Sequence, residues 1–136
     1  MKNVLLIEDN DDDIELARRA FEKVGLADNV HVVRDGTEAL DFLFGRGAHV
    51  DHPAASSIQL ILLDLNLPKT SGLDALRQIR LDPSTRGIPV VVLTVSRKEP
   101  DLLQGFTMGI VDYLIKPLDP DRFAQMYRKH VRGTAS

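Results

Sequence analysis

The residues Ile58-Gln59-Leu60-Ile61-Leu62-Leu63 form an apolar run that ends directly before Asp64. Near-continuous runs of this length, rich in Ile, Leu and Val, are typical of strands buried on both faces, as in a parallel sheet. Four similar runs lie elsewhere in the chain, at Val4–Ile7, Val30–Val33, Ile88–Leu93 and Val111–Ile115. The sequence therefore predicts five short strands, of which the run before Asp64 is the third.

Amphipathic stretches separate these runs. In the first of them, an apolar residue recurs at steps of three or four, which places Ile14, Ala17, Phe21 and Val24 on one stripe of a helix. Similar stretches follow at Thr37–Phe44, Gly72–Leu81, Glu99–Met108 and Asp119–Val131. Strand and helix thus alternate five times, which predicts an α/β fold with one doubly wound parallel sheet and right-handed crossovers. We expect a single-domain, flavodoxin-like (βα)5 fold with the strand order 2-1-3-4-5.

Length and composition exclude several classes of protein. The chain has 136 residues, of which 27% are charged, and it contains no cysteine. This length fits one ordinary globular domain, and the lack of cysteine excludes disulfides and thiolate metal sites. No apolar run reaches the ~18 residues of a membrane span, and the net charge of −3 argues against nucleic acid as the main partner. We therefore expect a cytoplasmic protein with no membrane or nucleic-acid partner.

The negative charge is concentrated after the first apolar run. Residues 8–15 read Glu-Asp-Asn-Asp-Asp-Asp-Ile-Glu, with six acids and no base, so the rest of the chain has a small positive net charge. We expect Asp11, Asp12 and Asp13 to open the first helix, where acidic side chains interact favourably with the helix dipole. Glu8 and Asp9 precede that helix and stand at the end of the first strand.

Polar residues also stand where the other strands of the predicted sheet end. Asp64 follows the third strand, Thr94 the fourth and Lys116 the fifth. Because ligands of open parallel sheets bind beyond the carboxyl ends of the strands, these residues should meet Glu8 and Asp9 at one edge. Clustered carboxylates repel one another and need a cation, and an oxygen-only ligand set suits magnesium.

This set of side chains has a plausible joint chemistry. A carboxylate at a metal can act as a nucleophile toward a phosphoryl group. An amine and a hydroxyl can stabilise the oxygens of the transferred group. The residues therefore indicate that an aspartyl phosphate forms at this edge of the sheet.

Four motifs in order give the chain a family resemblance. They are Glu8-Asp9, the segment Asp64-Leu65-Asn66-Leu67-Pro68 with Gly72 after it, Thr94, and Asp112-Tyr113-Leu114-Ile115-Lys116-Pro117. With these motifs at the ends of the predicted strands, residues ~2–131 resemble the receiver domains of two-component response regulators. Asp64 lies 30 residues before Thr94 and 52 before Lys116, spacings that also agree with this family.

The resemblance implies an acceptor and a metal site. Asp64 would be the phosphoacceptor and also a ligand of the metal ion. Asp9 would bind Mg²⁺ directly and Glu8 through a water molecule. Asn66 would contribute its backbone carbonyl oxygen.

The resemblance also implies roles near the fourth and fifth strands. Thr94 would bond a phosphoryl oxygen, and Lys116 would pair with the phosphoryl charge. Tyr113 matches the switch aromatic of the family, which turns inward as the threonine moves. The bond before Pro117 is expected to be cis. Val95 stands where the family usually has a small residue, and we expect its bulk to narrow access to the acceptor.

The sequence segments around these motifs are similar to those of one branch of the family. The segment Glu8-Asp9-Asn10-x-x-Asp13, the segment Leu62–Pro68 and a long irregular stretch at Gly45–Ser57 resemble the stand-alone regulators that act with phytochromes. We expect residues 1–132 to form the receiver domain and residues 133–136 to be a frayed tail. No effector domain is then expected. The resemblance implies that a histidine kinase, in this branch one of the phytochrome type, phosphorylates the domain.

The output of such a protein would be a contact with another protein. We expect it on the surface around the fourth helix, the fifth strand and the fifth helix, with a downstream target that the sequence does not identify. A homodimer is possible. The basic residues of the last helix could be a solvated face or an interaction surface, and they are Arg122, Arg128, Lys129 and Arg132.

Two other functions stay open, although we expect no enzyme. An Asp-dependent phosphohydrolase needs a second carboxylate two residues after its nucleophile, where this chain has Asn66. A metal-stabilised adaptor that is never phosphorylated is the other possibility. The histidines have no pair at metal-ligand spacing, so we expect them to be surface or incidental residues; they are His31, His49, His52 and His130.

Overall fold

The fold was examined in a computed structural model that describes residues 3–46, 57–65, 72–95 and 110–132. The predicted helix Glu99–Met108 and the tail after residue 132 lie outside the described residues. So does most of the predicted loop Gly45–Ser57. No helix in the described part of the chain is both long and apolar enough to span a membrane.

One parallel sheet organises the molecule, and its strand order is 2-1-3-4-5, as predicted. Every neighbouring pair of strands is parallel, which confirms the doubly wound arrangement. The strands are β1 (Asn3–Ile7), β2 (Val30–Val33), β3 (Ile58–Asp64), β4 (Val90–Thr94) and β5 (Ile110–Ile115).

Helices cover both faces of this sheet. In the described residues they are α1 (Asp11–Lys23), α2 (Gly36–Phe44), α3 (Gly72–Leu81) and α4 (Pro120–Tyr127). The N-cap residues of α1, α2 and α4 each accept a hydrogen bond from a backbone N–H of the first turn, and they are Asn10, Asp35 and Asp119. These caps fix where each chain segment leaves its strand, and therefore position the loops at the carboxyl edge.

The core has two layers because the strand side chains alternate between the faces of the sheet. Val4 and Leu6 of β1 face α1 and α4, where the rings of Phe21 and Phe123 meet edge to face with centroids 5.1 Å apart. Leu5 and Ile7 face the opposite layer, which also contains α2 and α3. A strand buried on both sides accounts for the near-continuous apolar runs of the sequence.

Two predicted boundaries differ from the structure by more than one residue. β4 begins at Val90 rather than Ile88, because the Ile88 N–H bonds to the Thr85 carbonyl in a turn and Pro89 has no N–H for the sheet. The last regular helix begins at Pro120 and ends at Tyr127, after which residues 128–132 continue as a wider π-helical turn. Neither difference moves the carboxyl ends of the strands.

Candidate functional site

The carboxyl edge of the sheet brings together most of the residues predicted to form the site. Glu8 follows β1, and Asp64 and Thr94 end β3 and β4; all three are buried. Asp9 is exposed at the rim. Lys116 follows β5, and its backbone N–H bonds to the carbonyl of Thr94 at 2.9 Å, which holds the end of β5 against β4.

Lys116 is the centre of the cluster. Its Nζ atom lies 2.8 Å from Glu8 Oε1, 3.0 Å from Asp13 Oδ2 and 3.1 Å from Asp64 Oδ2. Burial alone would lower the pKa of Lys116, but hydrogen bonds to Glu8, Asp13 and Asp64 outweigh it and raise the pKa above its ordinary value. The ammonium group is therefore charged, and it is shared among three carboxylates.

Glu8 shapes the loop between β1 and α1. Its Oε2 atom accepts hydrogen bonds from the backbone N–H groups of Asp9 (3.1 Å) and Asn10 (3.2 Å). Its Oε1 atom is buried and forms an ion pair with the Lys116 ammonium, 2.8 Å away. Burial raises the pKa of Glu8 to about 7, and Lys116 only partly opposes this effect.

The donor set fits a hard divalent cation. Glu8, Asp9 and Asp64 each offer a carboxylate oxygen, and these oxygens lie within 4.8 Å of one another. The ammonium of Lys116 offsets only part of the negative charge of these three carboxylates. Oxygen ligands from carboxylates are those that Mg²⁺ and Mn²⁺ take in proteins. Asn66, the fourth predicted ligand, lies outside the described residues.

Gly72 packs against the backbone at the end of β3, the strand that carries Asp64. A Cβ atom at this position would lie 2.8 Å from Leu65 Cα and 2.9 Å from the Asp64 carbonyl oxygen, closer than real Cβ atoms approach. The start of α3 therefore packs directly on the backbone that carries Asp64. This contact gives a physical reason for the glycine that follows the Asp64–Pro68 motif.

The remaining predicted residues surround this centre. The peptide bond between Lys116 and Pro117 is cis. Tyr113 lies on β5 opposite Val92, and 41% of its surface is exposed. Val95 is also largely exposed, at 63%. Both side chains are therefore partly exposed in the described part of the chain.

Several partners were missed from the sequence. Asp13 was expected only to favour the start of α1, yet its carboxylate contacts Lys116 across 103 residues of chain. His130 was expected to be a surface or incidental residue, and its Nε2 atom lies 3.0 Å from Asp112 Oδ2, a contact that the sequence did not predict. Such contacts join distant segments, so local patterns carry no signal for them.

His31 also has neighbours that its sequence position does not reveal. Its ring nitrogen lies 3.4 Å from Asn3 Oδ1, and its ring centroid is 5.2 Å from that of Phe42. His49 and His52 lie outside the described residues.

Comparisons with known proteins agree with this geometry. Residues 4–128 match the family described as the response regulator receiver domain. The chain is 41% identical to the probable methanogenesis regulatory protein FilR2 of Methanothrix harundinacea over 85% of its length and 72% of that protein. It is 36% identical to the response regulator Rcp1 of Synechocystis over 85% of its length and 76% of that protein.

Two solved structures are also similar. The bacteriophytochrome response regulator AtBRR has a TM-score of 0.84 and 41% identity, with 94% of this chain and 91% of that chain covered. The Mn²⁺-bound form of Rcp1 has a TM-score of 0.77 and 33% identity, with 95% of this chain and 91% of that chain covered.

Proposed function

The chain belongs to the response regulator receiver domain family, and on this premise we propose that Asp64 accepts a phosphoryl group from a histidine kinase. The observation that carries the proposal is the position of Asp64, a buried carboxylate that is 3.1 Å from the Lys116 ammonium at the carboxyl edge of the sheet. A buried carboxylate is costly unless it is paired, and here its partner is a cation that can also meet a phosphoryl group.

We propose that Mg²⁺ is the ion of this site. Asp9 and Asp64 would bind it directly, Glu8 through a water molecule, and Asn66 through its backbone carbonyl. When bound, the ion offsets the charge that otherwise keeps a phosphoryl group away from the carboxylates. The predicted ligands Glu8, Asp9 and Asp64 are close enough to act together, as their oxygen distances of 4.8 Å or less show.

Transfer of the phosphoryl group to Asp64 takes place in one displacement step. An Asp64 oxygen attacks the phosphorus of a phosphohistidine, the P–N bond breaks, and the imidazole nitrogen keeps the electron pair and takes a proton. Lys116 then pairs with a phosphoryl oxygen, for which it has to leave part of its contact with Glu8 and Asp13. The Thr94 hydroxyl donates to another phosphoryl oxygen.

Movement of Thr94 would carry the signal to the fifth strand. Thr94 lies beside Ile115 in the sheet, and its carbonyl oxygen accepts the Lys116 N–H. Tyr113, two residues before Ile115, is partly exposed and can turn inward when Thr94 moves. We propose that phosphorylation shifts the population of these two side chains and changes a protein-binding surface around β5 and α4.

The branch of the family follows from the relatives. AtBRR is a bacteriophytochrome response regulator and the similar RcpA is a cyanobacterial phytochrome response regulator, which supports our proposal of a phytochrome-type histidine kinase as the partner. We further propose that residues 1–132 form the receiver domain, that the protein acts in the cytoplasm, and that it can form a homodimer.

Receiver domains of this family are generally not enzymes, and the phosphohydrolase alternative is not favoured. That reaction needs an acid or base two residues after the nucleophile, and Asn66 cannot transfer protons there. An unphosphorylated adaptor is the remaining alternative. It predicts that partner binding is independent of Asp64 modification.

Phosphorylation with a small donor tests the proposal. We expect acetyl phosphate with Mg²⁺ to add one phosphoryl group to the parent protein, measured by intact mass, and to add none to Asp64→Asn. Asp74→Asn on the exposed side of α3 is the matched control and should be phosphorylated like the parent. If Asp64→Asn is modified as fully as the parent, the proposed acceptor is wrong.

The kinase assignment needs a separate experiment. A purified phytochrome-type kinase, phosphorylated on its histidine, should transfer the group to this protein faster than a kinase of another sensory class does. Equal transfer rates from both kinases would contradict the phytochrome partner and leave the acceptor role of Asp64 intact.

A further inference from the structure

Arg34, which directly follows β2, touches the loop that carries Asp9. Its Nη1 atom donates to the backbone carbonyl oxygen of Asp9 at 3.1 Å, and its Nη2 atom donates to Asp11 Oδ1. The planar guanidinium thus joins two points of the segment between β1 and α1. A fork of two donors holds geometry in a way that a single ammonium does not.

The backbone of Arg34 is itself held in place. Its N–H donates to Glu38 Oε1 at 2.9 Å, while the Glu38 N–H donates to Asp35 Oδ1 at 2.8 Å. This reciprocal cap at the start of α2 fixes the residue that precedes the helix. The neighbouring Val33 carbonyl accepts the Glu8 N–H at 2.9 Å, so β2 also holds the beginning of the same loop.

Asp9 has less support than the other acidic residues of the site. Glu8 and Asp64 are buried, whereas Asp9 is exposed and lies on a short loop between a strand and a helix. Glu8 holds this loop from the inside through the N–H groups of Asp9 and Asn10. Arg34 holds it from the outside through the Asp9 carbonyl oxygen.

We propose that Arg34 is a positioning residue, which orients the loop so that the Asp9 carboxylate faces the divalent cation. The inference rests on the proposed function, because it takes Asp9 as a ligand of the ion. It assigns to β2 a part in the site, although β2 contributes no ligand. Partners that orient a ligand commonly change metal affinity strongly when they are removed.

The charge of Arg34 and its contact with the Asp9 loop have opposite effects on Mg²⁺ affinity, so its removal separates them. Removal of a cation close to a divalent-cation site favours binding of the ion by electrostatics. Removal of a support for Asp9 disfavours binding. The sign of the change in Mg²⁺ affinity therefore separates a positioning role from a general effect of charge.

The test compares two arginine variants of the same charge. Arg19 is on the outer face of α1 and pairs with Glu15 of the same helix, so Arg19→Ala removes a positive charge without touching the loop. We expect Arg34→Ala to weaken Mg²⁺ binding about 10-fold by isothermal titration calorimetry, and Arg19→Ala to change it less than about 2-fold. Unchanged or tighter binding by Arg34→Ala would overturn the inference.

Hydrogen exchange of the metal-free proteins gives a second readout. Backbone amides of residues 9–13 should exchange faster in Arg34→Ala than in the parent and in Arg19→Ala, since this loop loses its outer support. Equal exchange in all three proteins would also overturn the inference. If the parent itself binds no Mg²⁺, the proposed function fails instead, so the two failures are distinguishable.

Discussion

The Asp13 carboxylate of α1 and the Lys116 ammonium after β5 are in direct contact, with Oδ2 and Nζ 3.0 Å apart. Lys116 is thereby shared between the first helix and the predicted phosphorylation site, since it also contacts Asp64. A phosphoryl group on Asp64 has to compete with Asp13 for the same ammonium. Asp13 therefore belongs to the energetics of phosphorylation although it is not a predicted ligand.

Replacement of Asp13 should favour the phosphorylated state. Asp13→Asn keeps the size of the side chain and removes one of the charges that hold Lys116. We expect the phosphorylated fraction at low acetyl phosphate to rise about two- to fivefold, the ratio for an ion pair worth about 0.5–1 kcal/mol. Intact-mass spectrometry measures it. The matched control is Asp12→Asn in the same helical turn, and an equal rise in both variants would contradict the role of the contact.

Asp13 also shows where sequence patterns stop being informative. The strand ends were predictable because each apolar run has the length of a strand and a polar residue follows it, as in Leu63-Asp64. Parallel topology then brings those ends together. By contrast, the Asp13–Lys116 and Asp112–His130 contacts depend on side-chain orientation between segments that are far apart in the chain. No local periodicity encodes such an orientation.

Lys116 should stabilise the metal-free protein by neutralising buried acids. We expect Lys116→Met to lower the free energy of unfolding by about 2–4 kcal/mol in EDTA, because Glu8 and Asp64 then lack their cation. Mg²⁺ should restore part of the loss. Urea unfolding with and without Mg²⁺ measures both values. Lys23→Met, which removes only an exposed pair with Asp121, should cost less than about 1 kcal/mol.

An equal loss in Lys116→Met and Lys23→Met would contradict this account of the site. So would a loss that is the same with Mg²⁺ as with EDTA, because the ion is expected to replace the missing positive charge.

The free energy of unfolding of the metal-free protein should fall as the pH rises through the range in which Glu8 titrates. Burial raises the pKa of Glu8 to about 7 in the folded protein, above the ordinary value of 4.5. The folded state then binds the proton more tightly than the unfolded state, so this contribution is present below about pH 4.5 and is lost toward pH 7. Glu8→Gln does not titrate and should lack this loss.

Unfolding experiments in EDTA at pH 5 and pH 8 measure the effect. We expect the parent to lose stability relative to Glu8→Gln between these two pH values. With saturating Mg²⁺ at pH 8, the parent should instead be more stable than Glu8→Gln, because the ion prefers the ionised carboxylate. A parent and a variant that respond alike to pH in EDTA would contradict the raised pKa.

Gly72 should be needed for the position of Asp64. A Cβ atom there would press on Leu65 Cα at 2.8 Å and on the Asp64 carbonyl oxygen at 2.9 Å, and backbone atoms cannot rotate away as a flexible side chain can. We expect Gly72→Ala to lower the free energy of unfolding by about 1–3 kcal/mol and to slow phosphorylation by acetyl phosphate, because the end of β3 has to shift.

Gly87→Ala is the matched control, since a Cβ atom there meets nothing within 4 Å. Gly87 also has no positive φ, so its variant should be as stable as the parent or more stable by at most about 1 kcal/mol. If the two variants have the same stability and the same phosphorylation rate, close packing of α3 on β3 does not set the position of the acceptor.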